Sequence, residues 1–313
     1  MKTVDSSDPS SDASPGPSPK PSLWAVHCAL LFVQLGFATL HVEGKLVMGP
    51  DYGVSPFALA MLRIAGAAAV FIPLYLAMGT SRVGSLRDVG VLTVLAVLGI
   101  VNNQAFYLMG LNLTSPISAT LLVAMIPVFT LLIVVVTGRA RLTPRQVSGT
   151  AMAFLGIAVL VGFSLPRLGD TLVLLNALSF ALYVVYSKDI LQRLGALTVM
   201  AWVFGISTLL FFPIGARDVV TDAPNWSAGA IGLVVYIVLV PTILVYAANA
   251  WALRYAGPGQ VTIYMFLQPV IVVVLAWFQL GQGLSMQTLY AAILTMTGVG
   301  LVLTARQQGQ KNS

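Results

Sequence analysis

The chain predicts an all-α polytopic membrane protein, with ten transmembrane helices built as two inverted-topology five-helix repeats. Three observations predict it. Of 313 residues, 58% are hydrophobic and only 8% are charged, against roughly 25% charged in a soluble domain. A single water-soluble core of this length cannot bury that much apolar surface, so lipid must be the solvent for most side chains. A shift of 142 positions lays the second half on the first without a gap: Pro116 falls on Pro258, Thr120 on Thr262, Pro127 on Pro269 and Gly156 on Gly298. Finally, the apolar runs approach the ~20 residues that cross a bilayer as helix, and they are continuous rather than alternating, which excludes barrel strands.

Taken in order, residues 1–22 are rich in Ser, Pro and Asp and carry no apolar periodicity. They read as a disordered cytoplasmic tail, without the short apolar core and cleavage site of a secretory signal. The first repeat, 23–163, is expected to hold spans Leu23–Lys45, Pro56–Met78, Val89–Leu111, Ile117–Thr137 and Gln146–Phe163. The second, 164–304, holds Leu172–Leu191, Leu197–Ile214, Ala228–Ala250, Val261–Leu280 and Leu289–Thr304, followed by a cytoplasmic tail over 305–313. Net charge is +6, but the basic residues lie in short loops, where they orient helices rather than bind nucleic acid. With the N-terminus in the cytoplasm, twelve Lys and Arg fall on that side and three (Lys45, Arg167, Arg217) on the other, while Arg63 lies inside a span. Five spans per repeat invert the second copy relative to the first, the arrangement of secondary carriers whose substrate sites lie between the repeats.

Embedded polar residues mark the candidate substrate cavity, because each must face protein or water. Gln34, Ala38, His41 and Lys45 follow helical spacing on span 1, and the equivalent span 6 presents Asn176, Ser179, Tyr183 and Ser187. His41 either binds substrate or exchanges a proton, or it is a hydrogen-bonded packing residue. Lys45 either neutralises a carboxylate or snorkels to the membrane surface. Arg63 either holds a carboxylate through its fork or is tied structurally to Glu43 or to backbone carbonyls. Asn102, Asn103 and Gln104 are consecutive, so at least one serves helix contact. Tyr246 and Asn249 share a face of span 8, as do Tyr264 and Gln268 of span 9. Pro127 and Pro269 each remove a mid-helix donor and invite a kink. The small residues Gly149, Ala153, Gly156, Gly298 and Gly300 permit close helix contact, within one chain or across a homodimer.

The stretch FATLHVEGKLVMGPDYGVSPFALAMLR, Phe37 to Arg63, places a lysine, then Ser-Pro, then an arginine in span 2. With LMGLNLTSPISATLLVAMIPVFTLLIVV and its counterpart WALRYAGPGQVTIYMFLQPVIVVVLAWF, it resembles the drug/metabolite transporter superfamily, in the branch with two tandem EamA domains. LFVQLGFATL is similar to plant nodulin-like members. The resemblance covers residues 28–304. It implies a ten-helix carrier, usually an exporter of amino acids, other metabolites or drugs, driven by an ion gradient or by exchange. The glutamate that the family often has before the Leu-Thr opening each repeat's last helix is replaced by Ala140 and Gln282.

Other function classes find little support. H-E-x-x-H, G-x-S-x-G and P-loop motifs are absent, so neither an intramembrane hydrolase nor an ATP-driven pump is expected. Cys28 is the only cysteine, which rules out an intrachain disulfide or a thiolate metal site. No cofactor or metal is expected; the partners are membrane lipid and a small-molecule substrate. A facilitative channel or a non-transporting scaffold is the alternative. The expected location is the bacterial plasma membrane with both termini cytoplasmic. Epitope tags at the two ends should therefore both resist protease in intact spheroplasts and both be cleaved in inverted vesicles; one tag on each side would remove the inversion.

Overall fold

The computed structural model describes residues 22–78, 81–138, 141–255, 264–265 and 267–311. The expected N-terminal tail, save Ser22, and residues 261–263 and 266 of the ninth expected span lie outside them. Among the described residues the chain is all helix, with no strand. The elements are α1 (Leu23–Val47), α2 (Pro56–Met78), α3 (Leu86–Leu113), α4 (Pro116–Val136), α5 (Pro144–Leu160), α6 (Leu168–Leu194), α7 (Ala196–Asp222), α8 (228–255), α9 (Leu267–Leu280) and α10 (Met286–Lys311). Eight are long and apolar enough to cross a bilayer; α5, with 17 residues, and α9, with 14, are shorter.

Local chemistry sets the helix boundaries. Ser22, Ser85, Ser115 and Ser227 each accept a backbone N–H from the first turn, and Thr143 forms a capping box with Gln146 ahead of Pro144. Gly195, at φ +79°, is the single residue between α6 and α7, a backbone state that glycine reaches without a Cβ penalty. Several helices outrun their expected spans: α6 continues to Leu194 and α10 to Lys311. Polar residues at a span end remain helical because the interface still rewards intrahelical bonding.

Three helices are interrupted. α4 divides into Pro116–Val123 and Ile126–Val136, with Pro127 in the first turn of the second segment, where its missing N–H costs no bond. α3 carries a π-helical turn at Val97–Val101 and α8 one at Leu239–Leu244. Shifted by 142, the first falls on the second. A π turn loosens the backbone ladder, and side chains of other helices take up α3 carbonyls there. Ser179 Oγ donates to Leu98 O at 2.8 Å, Ser207 Oγ to Ala96 O at 3.3 Å and Asn176 Nδ2 to Asn103 O at 2.9 Å. In α8, Thr242 Oγ1 donates to Ile237 O within the same helix at 2.8 Å.

Packing joins the halves of the chain pairwise. α2 lies on α7, α5 on α10, α3 and α4 on α6, and α8 and α9 on α1. Exchanging each helix with its counterpart five positions on leaves this set of pairs unchanged. Small residues make α5–α10 the closest approach: a Cβ on Gly298 would meet Gly149 O at 2.6 Å and the Ala153 backbone, and one on Gly156 would meet Thr295. Gly149, Ala153, Gly156 and Gly298 thus serve packing inside the chain. The interior holds Leu59, Ile64, Leu92, Leu108, Met125 and Phe211, whereas Leu76, Val136, Phe212 and Phe278 stand exposed, as lipid-facing side chains do.

Gly298→Ala should cost about 1–3 kcal/mol through overpacking and lower the melting temperature in detergent. Gly232→Ala, where a Cβ meets nothing within 4 Å, should be neutral or stabilising through helix propensity.

Candidate functional site

A cavity of about 840 Å³ opens at the end of the bundle where α1 finishes. Lys45, Asp51, Ser115, Ser118, Arg167 and Asp170 line it, with Gln282 and Gln287 from the α9–α10 side. Lys45 Nζ donates to Asn112 O at 2.7 Å, and Thr114 Oγ1 donates to Asp170 at 2.6 Å. Both signs of charge therefore face one water-accessible space.

Inward of the residues that line the cavity lies a layer of polar groups bonded to one another. His41 lies one helical turn from Lys45 on α1 and is 3% exposed. Its Nδ1 is 2.9 Å from Tyr107 Oη on α3, and its Nε2 is 2.9 Å from Gln268 Nε2 on α9. The Gln268 amide nitrogen donates, so Nε2 accepts; the neutral ring then carries its proton on Nδ1 and donates to Tyr107. That tautomer follows from the assigned amide orientation. One residue thus ties both halves of the chain together.

A second layer lies one turn along α3 from Tyr107. Arg63, 2% exposed, reaches from α2 to both interrupted helices: Nε donates to Thr242 Oγ1 at 2.9 Å and Nη1 to Gln104 Oε1 at 2.5 Å. The expected alternative partner, Glu43, instead accepts from Gln279 at 2.9 Å. Gln34, two turns below His41, is 3% exposed, and its Oε1 has no hydrogen-bond partner among the described residues.

The other sequence candidates divide. Tyr246 stands edge-on to Phe37 and Phe204, with ring centroids 5.9 Å apart in each case. Tyr183 covers Gly99 in the π turn of α3, an approach that only a glycine allows. Asn176 is spent on the Asn103 carbonyl and not on an open space. Asn102 and Asn249 are half-buried. Tyr264 bonds His27 at 2.7 Å, near the start of α1 and far from the open cavity. Pro127, Pro269 and Gln268 border a small void of about 40 Å³. Sequence reasoning passed over Thr242, Asp51, Arg167 and Asp170. Thr242 lies in an apolar run, LVPTIL, with only the repeat offset from the α3 turn to single it out. The other three lie in or beside loops that only the fold brings together.

Among the described residues, no group of His, Cys, Asp and Glu could hold a metal ion.

Comparison with known proteins agrees with this architecture. A solved crystal structure superposes with a TM-score of 0.59 at 20% identity, over 90% of this chain and 98% of that one, which establishes shared fold. "Uncharacterized transporter" of Archaeoglobus fulgidus is 26% identical, covering 69% of this chain and 76% of its own. "Protein WALLS ARE THIN 1" of Arabidopsis thaliana is 24% identical over 93% and 87%, respectively. "Probable terminal-alkyne amino-acid exporter" of Streptantibioticus cattleyicolor is 25% identical over 80% and 84%. The profile of the EamA-like transporter family matches twice in tandem, at residues 24–162 and 167–304. The chain is an integral membrane protein and belongs to the EamA-like transporter family.

Proposed function

We propose that the chain is a secondary exporter of small metabolites, amino acids or related compounds among them, and that it works by alternating access between two five-helix halves of inverted topology. The observation that carries the reading is a one-sided opening. The cavity reaches Lys45, and one turn inward His41, Tyr107 and Gln268, none of which lines it, bond one another across both halves. A channel needs a continuous path; a carrier needs a site closed on one side at a time. The loop-charge bias puts this opening on the side away from the cytoplasm, so the conformation is outward-open. At the opposite end, His27 meets Tyr264, and Asp88 pairs with Arg193 at 2.6 Å. A two-fold exchange of the halves would open that end and close the first. The exporter of the Streptantibioticus relative's name supports an amino-acid-like cargo.

His41 is the coupling element in this reading. Protonating Nε2 converts an acceptor into a donor facing Gln268's amide nitrogen, so the α1–α9 contact must break or the amide must turn. Seven of the ten acidic residues lie outside the N-terminal tail, and only Glu43 and Asp189, each near the end of its helix, fall in expected spans, which leaves little for a carboxylate relay.

Reconstituted protein should show counterflow: a labelled L-amino acid should enter vesicles faster when they are preloaded with the same unlabelled compound. His41→Ala should slow exchange at least about tenfold, equal to roughly 1.4 kcal/mol, and should flatten its pH dependence. Flux that ignores preloading would identify a channel, and a silent His41→Ala together with pH-independent flux would remove the histidine coupling.

A further inference from the structure

Arg63 is a buried cation without a counter-ion. Of ten Asp and Glu residues, three (Asp5, Asp8 and Asp12) lie in the N-terminal tail, outside the described residues. The other seven are engaged or placed elsewhere. Glu43 takes Gln279, Asp88 takes Arg193, Asp170 takes Thr114, and Asp218 and Asp222 both bond Ser55. Asp51 lines the cavity, and Asp189 lies in the field of Arg193. The one ion pair among the described residues is Arg193–Asp88. Arg63 spends two of its five N–H donors on neutral acceptors, Gln104 and Thr242, and makes no other hydrogen bond to the described residues. A lone guanidinium in a low-dielectric interior is expensive, and intramembrane ionisable groups mark substrate or ion pathways.

A second observation is independent of the first. Gln34 Oε1 is buried and has no donor. Gln34 and Arg63 lie at one level of the bundle: Gln34 is two turns from His41 on the same face of α1, and Arg63's partner Gln104 is one turn from His41's partner Tyr107 on α3, both in the same direction along the bundle. The interior therefore holds a donor fork lacking an anion and an acceptor lacking a donor. Both lie beneath the His41 layer, on the side away from the cavity.

We propose that Arg63 is the docking group for a carboxylate of the transported molecule, reached once the His41 layer opens, and that Gln34 Oε1 receives an N–H or O–H of the same molecule. The substrate class is a small carboxylic acid bearing a second donor, such as an amino or hydroxy acid. One carboxylate balances one guanidinium, and its two oxygens match the fork. Gln104 and Thr242 hold the guanidinium while the site is empty. The inference names the substrate class of the carrier site and rests on the carrier reading for transport, though not for binding.

The test uses the purified full-length protein in detergent. Thermal unfolding is recorded against the twenty proteinogenic L-amino acids, the amide and the decarboxylated amine of each, lactate, and inorganic phosphate. At least one acid should raise the melting temperature saturably, while its amide and amine do not. Arg63→Gln should abolish that rise, and Arg63→Lys, keeping charge but losing the fork, should weaken the apparent affinity by about tenfold or more. The wild-type comparison of acid with amide holds even if Arg63→Gln does not fold. An amide equal to its acid, stabilisation by phosphate alone, no response to any acid, or a full acid response in folded Arg63→Gln would each overturn the proposal. An acid that binds through Arg63 but shows no counterflow would contradict the carrier reading and leave the docking role standing.

Discussion

Hydrocarbon offers no hydrogen bonds, so every backbone group released inside the bundle must find a partner from the protein. This constraint organises the centre of the molecule. The π turns of α3 and α8 loosen two backbone ladders at equivalent positions of the repeat. Ser179, Ser207, Asn176 and Thr242 meet carbonyls in or beside those turns, and Arg63 spans from one interrupted helix to the other. Irregular backbone at depth is tolerated only where protein buries it or a cavity wets it. The polar centre and the seam between halves consequently coincide.

That coincidence gives the site its character. His41 joins α1 and α3 of the first half to α9 of the second through two hydrogen bonds that both depend on where one proton sits. α5 and α10, by contrast, meet backbone to backbone through their glycines, and the side-chain bond between them, from Gln287 to the Val159 carbonyl, lies at one end of the pair. A helix pair of the second kind resists sliding, while a junction of the first kind can exchange partners at little cost in buried area. Motion is expected where hydrogen bonds hold the seam, and rigidity where glycines do.

Much of this was legible in the residues. Repetition at 142 positions fits the symmetric set of helix pairs that joins the halves, and Pro127, expected to kink its helix, opens the second segment of the interrupted α4. The stripe Gln34, His41 and Lys45 runs along α1 from Lys45 at the cavity to the buried His41 and Gln34. What stayed hidden has a physical reason. Periodicity counts 3.6 residues per turn and cannot register a π turn, so Asn176 and Ser179 read as cavity groups although α3 carbonyls claim them. Thr242 looked apolar by context. The structural alternative for Arg63 named Glu43 or backbone carbonyls as partners, beside a bound carboxylate; side-chain acceptors from α3 and α8 hold it instead of Glu43, because only folding brings those two turns to its fork. Helix ends ran long at Leu194 and Lys311, since hydropathy marks hydrocarbon and not helix.

The proposed exchange of the two halves requires reciprocal opening of the two ends. Ser118 lines the open cavity, and Ser187 is buried near the other end of the bundle at the repeat position equivalent to Lys45. In a Cys28→Ser background, the alkylation rates of Ser118→Cys and Ser187→Cys should be measured at one fixed pH, where the thiolate fraction is constant, across a range of L-amino-acid concentration. Reciprocal opening requires that any condition slowing one label speeds the other. Two rates that rise and fall together, or a Ser187→Cys that never reacts while transport proceeds, would contradict it.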